Sequence, residues 1–434
     1  MAELAVLRPW PAAGKDAKTP PPPDHVDGWE AFMSAPAGAL SHLRAIEVGS
    51  FIAGPFCGQI LADLGMDVVK VEPPGSGDAM RTWGAARTAN GKSLWWPVIA
   101  RNKRSLSLDL RRPEGRDILR RLVAEADVLI ENFRPGTLEA WGLAPDDLRR
   151  DNPGLIVARV SGFGQTGPYA GKAGFGAVAE AMAGLRTLTG YPDRASTRVG
   201  ISIGDSLAGL YAAIGVLTAV IARGERAGAG QTVDVAITEA VLGVMESIVS
   251  EYAATGAVRT RSGPILPKIA PSNAYPTAEG GEVVIAANAD GLFQRLCAAM
   301  GRPELAADPA YATHGARGAR QAELDALIAA WTARRTQDQI LALMDQHGIP
   351  AGPVNDAAAV VRDPHFRARG AIVEVPDDSF GTLTMPGPVP KLDGTPGTIR
   401  WTGPEVGAHT RDILAGALGF DAESLDRLAA EGVI

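Results

Sequence analysis

Short β-like runs alternate with longer helical patterns through the first half of the chain. Polar or turn-forming residues bound each run, and most runs are separated by apolar residues at helical spacing. Such alternation predicts an α/β fold with a mostly parallel, helix-flanked sheet. The β-like runs are 43–48, 67–71, 105–109, 127–131, 155–160 and 232–237, and the helical patterns cover 56–64, 113–125, 137–150 and 239–252.

The longest apolar run, 207–222, follows one carboxylate, Asp205. The run is shorter than a membrane span requires, so we interpret it as a core helix. A lone Asp in the first turn of a helix can accept backbone N–H bonds, and the helix dipole favours its charge. From these residues alone Asp205 is either a helix cap or a reactive carboxylate, and the cap is the commoner role.

The second half changes in composition and predicts a smaller α+β domain. Turn-forming residues at 263–267 and 271–276 resemble a linker, a hairpin is expected around 279–282, and a strand pair around 380–382. Helical patterns cover 291–300, 320–333 and 336–347, and a short helix follows residue 410. We divide the chain into a flexible Ala/Pro-rich extension (1–42), a large domain (43–237), a linker (238–262), a small domain (263–345) and a return segment that completes the large domain (346–434).

Composition indicates a soluble globular protein. Of its 434 residues 46% are hydrophobic, and the formal net charge is −7. That charge provides no general attraction to nucleic acid or to an anionic membrane, so an anionic ligand would need a local basic patch. The two cysteines, Cys57 and Cys297, form no disulfide framework; we interpret both as core residues and expect a reducing, cytoplasmic location.

Several stretches could bind a ligand at the ends of the predicted strands. Residues 101–116 are rich in Arg and Lys, which suits phosphate groups but also a solvated charged face. Residues 161–168 are glycine-rich, and residues 131–136 offer an amide and an aromatic ring. No dinucleotide or P-loop glycine pattern occurs, and the six histidines are scattered, so no nicotinamide, ATP, metal or Ser/His site is indicated.

Taken in order, eleven short motifs resemble the class III CoA-transferase family, which includes formyl-CoA transferase, carnitine CoA-transferase and α-methylacyl-CoA racemase. The resemblance runs from about residue 43 to the C-terminus. The motifs are AGP at 53–55, LADLG at 61–65, VKVEP at 69–73, GSGD at 75–78, NKRS at 102–105, LD at 108–109, ENFRPG at 131–136, SGFG at 161–164, GD at 204–205, GQ at 230–231 and GIPAGPV at 348–354.

The resemblance implies a CoA-transferase with Asp205 as its nucleophile. It also implies a large Rossmann-like domain completed by the C-terminus, a smaller inserted domain and an interlocked homodimer, or a heteromer with a related subunit. CoA enters as a thioester substrate, for example succinyl-CoA, with a small carboxylic acid as acceptor; no permanently bound cofactor and no metal are expected. The CoA contacts carried over from the family are Phe51, Ile52, Ala53, Leu108, Arg111, Asn132 and Phe133.

Two alternative functions are compatible with the same family. An acyl-CoA racemase or isomerase would need a base where this chain has Phe175, and a phenyl ring cannot carry a proton; Glu180, one turn further on, is a conceivable substitute. A non-catalytic subunit of a heteromeric transferase would not need its nucleophile. The presence of Asp205 favours an active subunit.

Overall fold

A computed structural model describes residues 38–84 and 91–434. Most of the Ala/Pro-rich extension predicted at 1–42 lies outside these residues. The described residues belong to the unit Gly38–Ile434.

A six-stranded parallel sheet forms the centre of the first half, which confirms the predicted α/β class. Its order is β3-β2-β1-β4-β5-β6, and every neighbouring pair is parallel. This is the order of the dinucleotide-binding Rossmann sheet, in which the chain reverses its direction of growth between β1 and β4. The strands are β1 (Arg44–Glu47), β2 (Asp67–Glu72), β3 (Lys103–Ser107), β4 (Val128–Glu131), β5 (Ile156–Ser161) and β6 (Thr232–Ala236).

Helices connect these strands and cover both faces of the sheet, since successive residues of a strand point to opposite faces. In this part of the chain they are α1 (Ala53–Asp63), α2 (Trp96–Ile99), α3 (Pro113–Ala124), α4 (Thr137–Ala140), α5 (Pro145–Asp151), α6 (Gly176–Met182), α7 (Leu185–Leu188), α8 (Ile203–Glu225), α9 (Ile237–Leu242) and α10 (Ile248–Thr255), with a 3-10 turn at Ala79–Arg81. Ala45 packs in one core with α1 and α8, whereas its neighbour Ile46 packs in a second core with α3.

Two helices predicted as continuous are broken. The predicted helix 137–150 is α4 and α5, separated by Gly142 with a φ of +72° and restarted by Pro145 at the first turn. The predicted helix 239–252 is α9 and α10, and Glu246 between them has a φ of +54°, which no α-helix accommodates. The predicted strand 105–109 begins and ends two residues earlier, as β3.

The second half contains its own three-stranded antiparallel sheet and hydrophobic core. The sheet has the order β7-β8-β9, and the hairpin expected around 279–282 joins β7 to β8. The segment 271–276, interpreted as a linker, is instead mostly strand β7. The elements are β7 (Ser272–Pro276), β8 (Glu282–Ala286), α11 (Asp290–Ala299), α12 (Glu304–Ala307), α13 (His314–Ala319), α14 (Gln321–Thr332), α15 (Gln337–Gln346) and β9 (Ala351–Pro353).

The C-terminal segment packs against the six-stranded sheet. Its elements are α16 (Ala357–Arg362), α17 (Pro364–Ala368), the antiparallel pair β10 (Ile372–Asp377) and β11 (Gly381–Pro386), α18 (Thr410–Leu418) and α19 (Ala422–Ala430). The N–H of His409 donates to Ser105 on β3, and Leu414 and Leu428 belong to the same core as Ile46. The C-terminal segment therefore shares a hydrophobic core with the six-stranded sheet.

Helix α8 is long and apolar enough to cross a membrane, with a mean hydropathy of 1.7. Only one side of it is packed into the core, as expected of a core helix. It packs on α1 and the sheet through Ala208, Ala212 and Val216, while only 33% of its most apolar stretch is buried. Leu210, Ile214 and Ile221 lie on the opposite side and are 43%, 57% and 76% exposed. The helix thus has one buried face and one uncovered apolar face.

Candidate active site

The loop between β1 and α1 has an unusual backbone that two side chains hold in place. Phe51 has a φ of +64°, in the left-handed region that residues other than glycine rarely adopt. Asn132, just after β4, accepts from the Ser50 N–H and donates to the Ser50 carbonyl, both at 2.7 Å. Asp78, after β2, accepts from the Phe51 N–H at 3.3 Å. The loop is thereby tied to the strands on either side of β1.

A buried ionic cluster lies beneath this loop. Glu47 at the end of β1 pairs with Lys70 at 3.1 Å and with Lys103 at 2.8 Å, and Lys70 also pairs with Asp78 at 2.8 Å. The Lys70 ammonium donates to the carbonyl of Gly49 as well. All four charged side chains are less than 5% exposed. The cluster therefore links three strands to the backbone of the loop that carries Phe51.

Burial acts on the two lysines of this cluster with different results. It opposes the charge of Lys70, but the carboxylates of Asp78, Glu47 and Glu72 outweigh it and raise the Lys70 pKa above its ordinary value. Burial dominates at Lys103 and lowers its pKa, with only partial compensation from Glu47. Both charges depend on Glu47, because that carboxylate is the one that both lysines contact.

Asp205 lies at the same edge of the sheet as this loop, in the first turn of α8. An ideal Cβ built on Gly209, one turn further on, would lie 2.8 Å from the carbonyl oxygen of Ala53, so α8 crosses the first turn of α1 at close range. The N-cap residue of α8 is Ser202, and no side chain makes a capping bond there. The interpretation of Asp205 as a helix cap is therefore wrong.

The carboxylate of Asp205 is partly buried and makes no hydrogen bond within the described residues. Burial, with a smaller contribution from Glu180, raises its pKa to about 6, although Arg198 acts in the opposite direction. An ideal Cβ on Gly176 would lie 2.8 Å from the Asp205 Cγ and closer still to Oδ2. The backbone of α6 thus passes so close to the carboxylate that there is no room for a side chain at position 176.

Glu180 stands directly behind the first turn of α8. It is 1% exposed and accepts from the Gly204 N–H at 3.3 Å. Its Oε2 atom faces two guanidinium groups: Arg198 Nε at 3.7 Å and Arg186 Nη2 at 3.9 Å. Two carboxylates and two guanidiniums therefore surround the N-terminus of α8, and their formal charges cancel when Asp205 is ionised.

Three aromatic rings connect the β1–α1 loop to the neighbourhood of Asp205. Phe51 lies 5.0 Å from Trp83 and 6.3 Å from Phe175, and Trp83 lies 6.4 Å from Phe175, measured between ring centroids. Such separations are typical of favourable aromatic contacts. Since Phe175 directly precedes Gly176, the rings form a half-exposed apolar wall next to the carboxylate.

The residues predicted to contact CoA all lie at or just beyond the carboxyl ends of β1, β3 and β4, but they differ in exposure. Phe51 and Phe133 are partly exposed, and Phe133 packs on Trp141 at 5.2 Å. Ile52, Ala53 and Leu108 are buried, and the Asn132 amide is already bonded to Ser50. Arg111 is 80% exposed and paired with Asp109 at 2.8 Å.

The basic stretch 101–116 divides into a paired part at β3 and a more exposed part beyond it. Arg101 is buried and paired with Asp63 at 2.6 Å, Lys103 belongs to the ionic cluster, and Arg104 pairs with Asp67 at 2.7 Å. The cations from Arg111 onward, in contrast, follow the carboxyl end of β3. The beginning of the stretch is therefore structural, and its end lies at the carboxyl edge of the sheet.

Sequence reasoning missed Trp83, Gly176, Arg186 and Arg198 as members of the site. Arg198 lies seven residues before Asp205 in a polar loop, and Trp83 follows a turn after β2, so neither belongs to a recognisable motif. Glu180 was weighed only as a substitute base. Its pairing with two arginines could not be read from spacing, since contacts between loops depend on how α6, α7 and α8 pack.

Comparisons with known proteins agree on one family. The family model described as CoA-transferase family III matches residues 40–410. A succinyl-CoA–D-citramalate CoA-transferase from Chloroflexus aurantiacus is 56% identical over 92% of this chain and 99% of its own length. The beta subunit of a succinyl-CoA–L-malate CoA-transferase from the same species is 41% identical over 91% and 98%. A crystal structure of a CaiB/BaiF family protein from Brucella suis covers 88% of this chain and all of its own, with a TM-score of 0.78 and 37% identity.

Proposed function

Because the chain belongs to CoA-transferase family III and is a CoA-transferase, we propose that Asp205 carries the acyl group while CoA moves between two acids. The observation that supports this most directly is the Asp205 carboxylate itself. It is partly buried at the ligand-binding edge of a Rossmann-type sheet, without a hydrogen-bond partner in the described part of the chain. Burial without a partner leaves an oxygen nucleophile poorly solvated and available for attack.

The proposed reaction requires no net proton transfer. An Asp205 oxygen attacks the thioester carbonyl of the donor, the C–S bond breaks, and CoA leaves as the thiolate. The thiolate then attacks the Asp205 carbonyl of the mixed anhydride, which releases the donor as a carboxylate and leaves CoA bound to Asp205 as a thioester. The acceptor carboxylate repeats the two steps in reverse order, so that the new acyl-CoA leaves and Asp205 is again ionised.

The activities named for the relatives support dicarboxylic acids as substrates. Both relatives from Chloroflexus use succinyl-CoA, and their acceptors are D-citramalate and L-malate. We propose succinyl-CoA as donor and a four- or five-carbon dicarboxylate as acceptor. CoA would lie along the β1–α1 loop and the loop after β4, near Phe51 and Phe133, with Arg111 at the phosphate end.

We expect hydroxylamine to trap the acyl group on Asp205. The protein would be mixed with succinyl-CoA, quenched with hydroxylamine and digested, because an activated aspartyl carbonyl is converted to a hydroxamate. Peptide mass spectrometry should place the label on Asp205, and free succinate should give none. Since attack needs the carboxylate, the labelling rate should fall about tenfold per pH unit below the pKa of about 6 and level off above it. Label on another residue would disprove the assignment.

The uncovered face of α8 supports a second copy of the chain as its partner. Its exposed stripe of Leu210, Ile214 and Ile221 is accompanied by Val249 and Tyr252 on α10, which are 58% and 61% exposed. Monomeric soluble proteins rarely expose such groups of large apolar side chains. We propose that two chains bury these faces against each other in an interlocked homodimer.

Sedimentation velocity tests this assembly. We expect the mass of two chains, about 90 kDa from the chain mass of 45.1 kDa, at micromolar concentration, and a thermal midpoint that rises with protein concentration. Ile214→Asp places a charge in the centre of the stripe and should shift the equilibrium to monomer; Leu266→Asp, at an exposed leucine outside α8 and α10, is the matched control. A wild-type monomer at all concentrations would exclude the proposal.

The relative named as a beta subunit raises a heteromeric assembly as an alternative. The 56% identical relative carries no subunit designation, and this favours an active single-chain enzyme. CoA-transferase activity of this chain, purified without a second subunit, would exclude the heteromeric alternative. The racemase is disfavoured, because Phe175 occupies the position of its base and Glu180 already accepts from Gly204 and faces two arginines.

A further inference from the structure

Arg186 is half-buried and Arg198 is exposed, and both use less of their hydrogen-bonding capacity than the buried Arg317 and Arg101. Arg317 donates four hydrogen bonds and Arg101 donates four, to carbonyls and a carboxylate. Arg198 donates a single hydrogen bond within the described residues, to Ser202 Oγ at 3.2 Å. The Arg186 Nε atom is buried and has no hydrogen-bond partner in the described chain.

The one carboxylate that both arginines face does not satisfy them. Glu180 Oε2 is 3.7 Å from Arg198 Nε and 3.9 Å from Arg186 Nη2, beyond normal hydrogen-bond length in both cases. A guanidinium has several donors in a fixed planar fork, suited to a carboxylate bound through two oxygens. The pair therefore offers unused donors for another carboxylate beside the first turn of α8.

The charge balance at this turn changes when Asp205 is acylated. In the free enzyme the two guanidiniums and the ionised carboxylates of Glu180 and Asp205 together carry no formal net charge. Formation of the anhydride or the thioester converts the Asp205 carboxylate into a neutral acyl group, so one positive charge becomes uncompensated. An added carboxylate restores the balance only in that state.

We propose that Arg186 and Arg198 bind the non-reacting carboxylate of a dicarboxylic acyl group or acceptor, and that they bind it most tightly while Asp205 is acylated. This inference rests on the proposed role of Asp205 and assigns the residues that select dicarboxylic substrates. It also predicts when the acceptor binds. A dicarboxylate acceptor is attracted after the donor acyl group has left, while CoA is bound to Asp205 as a thioester.

A matched pair of thioesters tests the selection. Succinyl-CoA and butyryl-CoA have acyl chains of the same length and differ in a terminal carboxylate. Arg186→Gln should reduce the ratio of succinyl to butyryl labelling rates at Asp205 by about 10- to 100-fold, and Arg186→Lys should recover part of it. Arg194→Gln, an exposed arginine in the same loop region, is the control and should leave the ratio within about twofold of wild type. Equal loss with both thioesters would show a structural role and overturn the proposal.

A binding measurement keeps the inference separate from the acyl-transfer proposal. Asp205→Asn reproduces the neutral state of the acylated residue without any reaction. Titration calorimetry at saturating CoA should show at least about fivefold tighter succinate binding to this variant than to wild type, and loss of that gain in Asp205→Asn/Arg186→Gln. Butyrate, which has one carboxylate, should gain less than succinate. If trapping fails but this gain is seen, the carboxylate site stands and the proposed role of Asp205 is wrong. If the gain persists in Asp205→Asn/Arg186→Gln, the proposed carboxylate site is wrong.

Discussion

Replacement of Asp205 by asparagine is expected to lower the rate of CoA transfer on the order of 10⁴-fold or more, because the variant has no nucleophilic oxygen to form the anhydride. The amide is isosteric with the carboxylate and introduces no new clash with Gly176. Transfer from succinyl-CoA to a dicarboxylate would be followed by chromatography of the CoA esters. The hydroxamate on residue 205 should disappear at the same time.

The same variant should be more stable than wild type at neutral pH. The folded-state pKa of Asp205, about 6, lies above the reference value of 3.8, so the folded state releases its proton at higher pH than the unfolded state. Stability is therefore lost as pH rises from about 4 to about 6, and the ionised group remains unfavourable above that range. Asparagine removes this cost, which we place at about 1–2 kcal/mol after discounting for partial solvent exposure.

An inactive but stabilised variant separates loss of the nucleophile from misfolding. Thermal midpoints of both proteins would be measured at pH 4.5 and pH 7.5, and the difference should be larger at pH 7.5. Asp193→Asn, at an exposed Asp in the loop before α8, is the control and should change neither activity nor midpoint. Retention of more than a tenth of wild-type activity by Asp205→Asn would rule out the covalent mechanism.

Replacement of Glu47 by glutamine is expected to have the largest effect on stability, a loss of about 3–5 kcal/mol in the free energy of unfolding. Glu47 is fully buried and lies 3.1 Å from the ammonium of Lys70 and 2.8 Å from that of Lys103. Glutamine keeps the shape but leaves Lys103 without its carboxylate partner and Lys70 with one ion-pair partner, Asp78. Uncompensated buried charge is costly because little water reaches it.

Denaturant unfolding at one fixed protein concentration measures this loss as a shift in midpoint. Glu125→Gln, at an exposed glutamate after α3, is the matched control and should cost less than about 0.5 kcal/mol. Because Lys70 also donates to Gly49, the variant should weaken CoA binding as well, through the β1–α1 loop. A midpoint within the error of wild type would mean that the cluster contributes no net stability.

Much of the sheet could be predicted from the apolar runs, because most strands between Arg44 and Ala236 are buried on both faces and bounded by turn residues. The strand order could not be predicted, since a β-α-β pattern fits several orders. The break between α4 and α5 had a signal in Gly142 and Pro145. The break between α9 and α10 had a signal in Gly243, the C-cap of α9, but the positive φ of Glu246 had none.

Of the residues at this edge, the sequence singled out Asp205, which stands alone between a glycine and an apolar helix. The family resemblance is what predicts a nucleophile there instead of a helix cap. Arg101 was misjudged and Arg198 was missed because their partners are distant in sequence: Arg101 pairs with Asp63, and Arg198, in a loop, faces Glu180 on α6. Charge runs in sequence do not reveal which cations are neutralised by the fold.

The close approach of Gly176 to Asp205 provides a criterion for separating active from inactive paralogues of this chain. Any side chain at this position would have to displace the Asp205 carboxylate, since a Cβ alone would lie 2.8 Å from its Cγ. Among paralogues encoded in one genome, a copy that combines Gly176 with Asp205 has the space to form the proposed covalent intermediate. A copy that keeps the Asp but carries a larger residue in place of the glycine would be sorted with inactive subunits, although its nucleophile is still encoded.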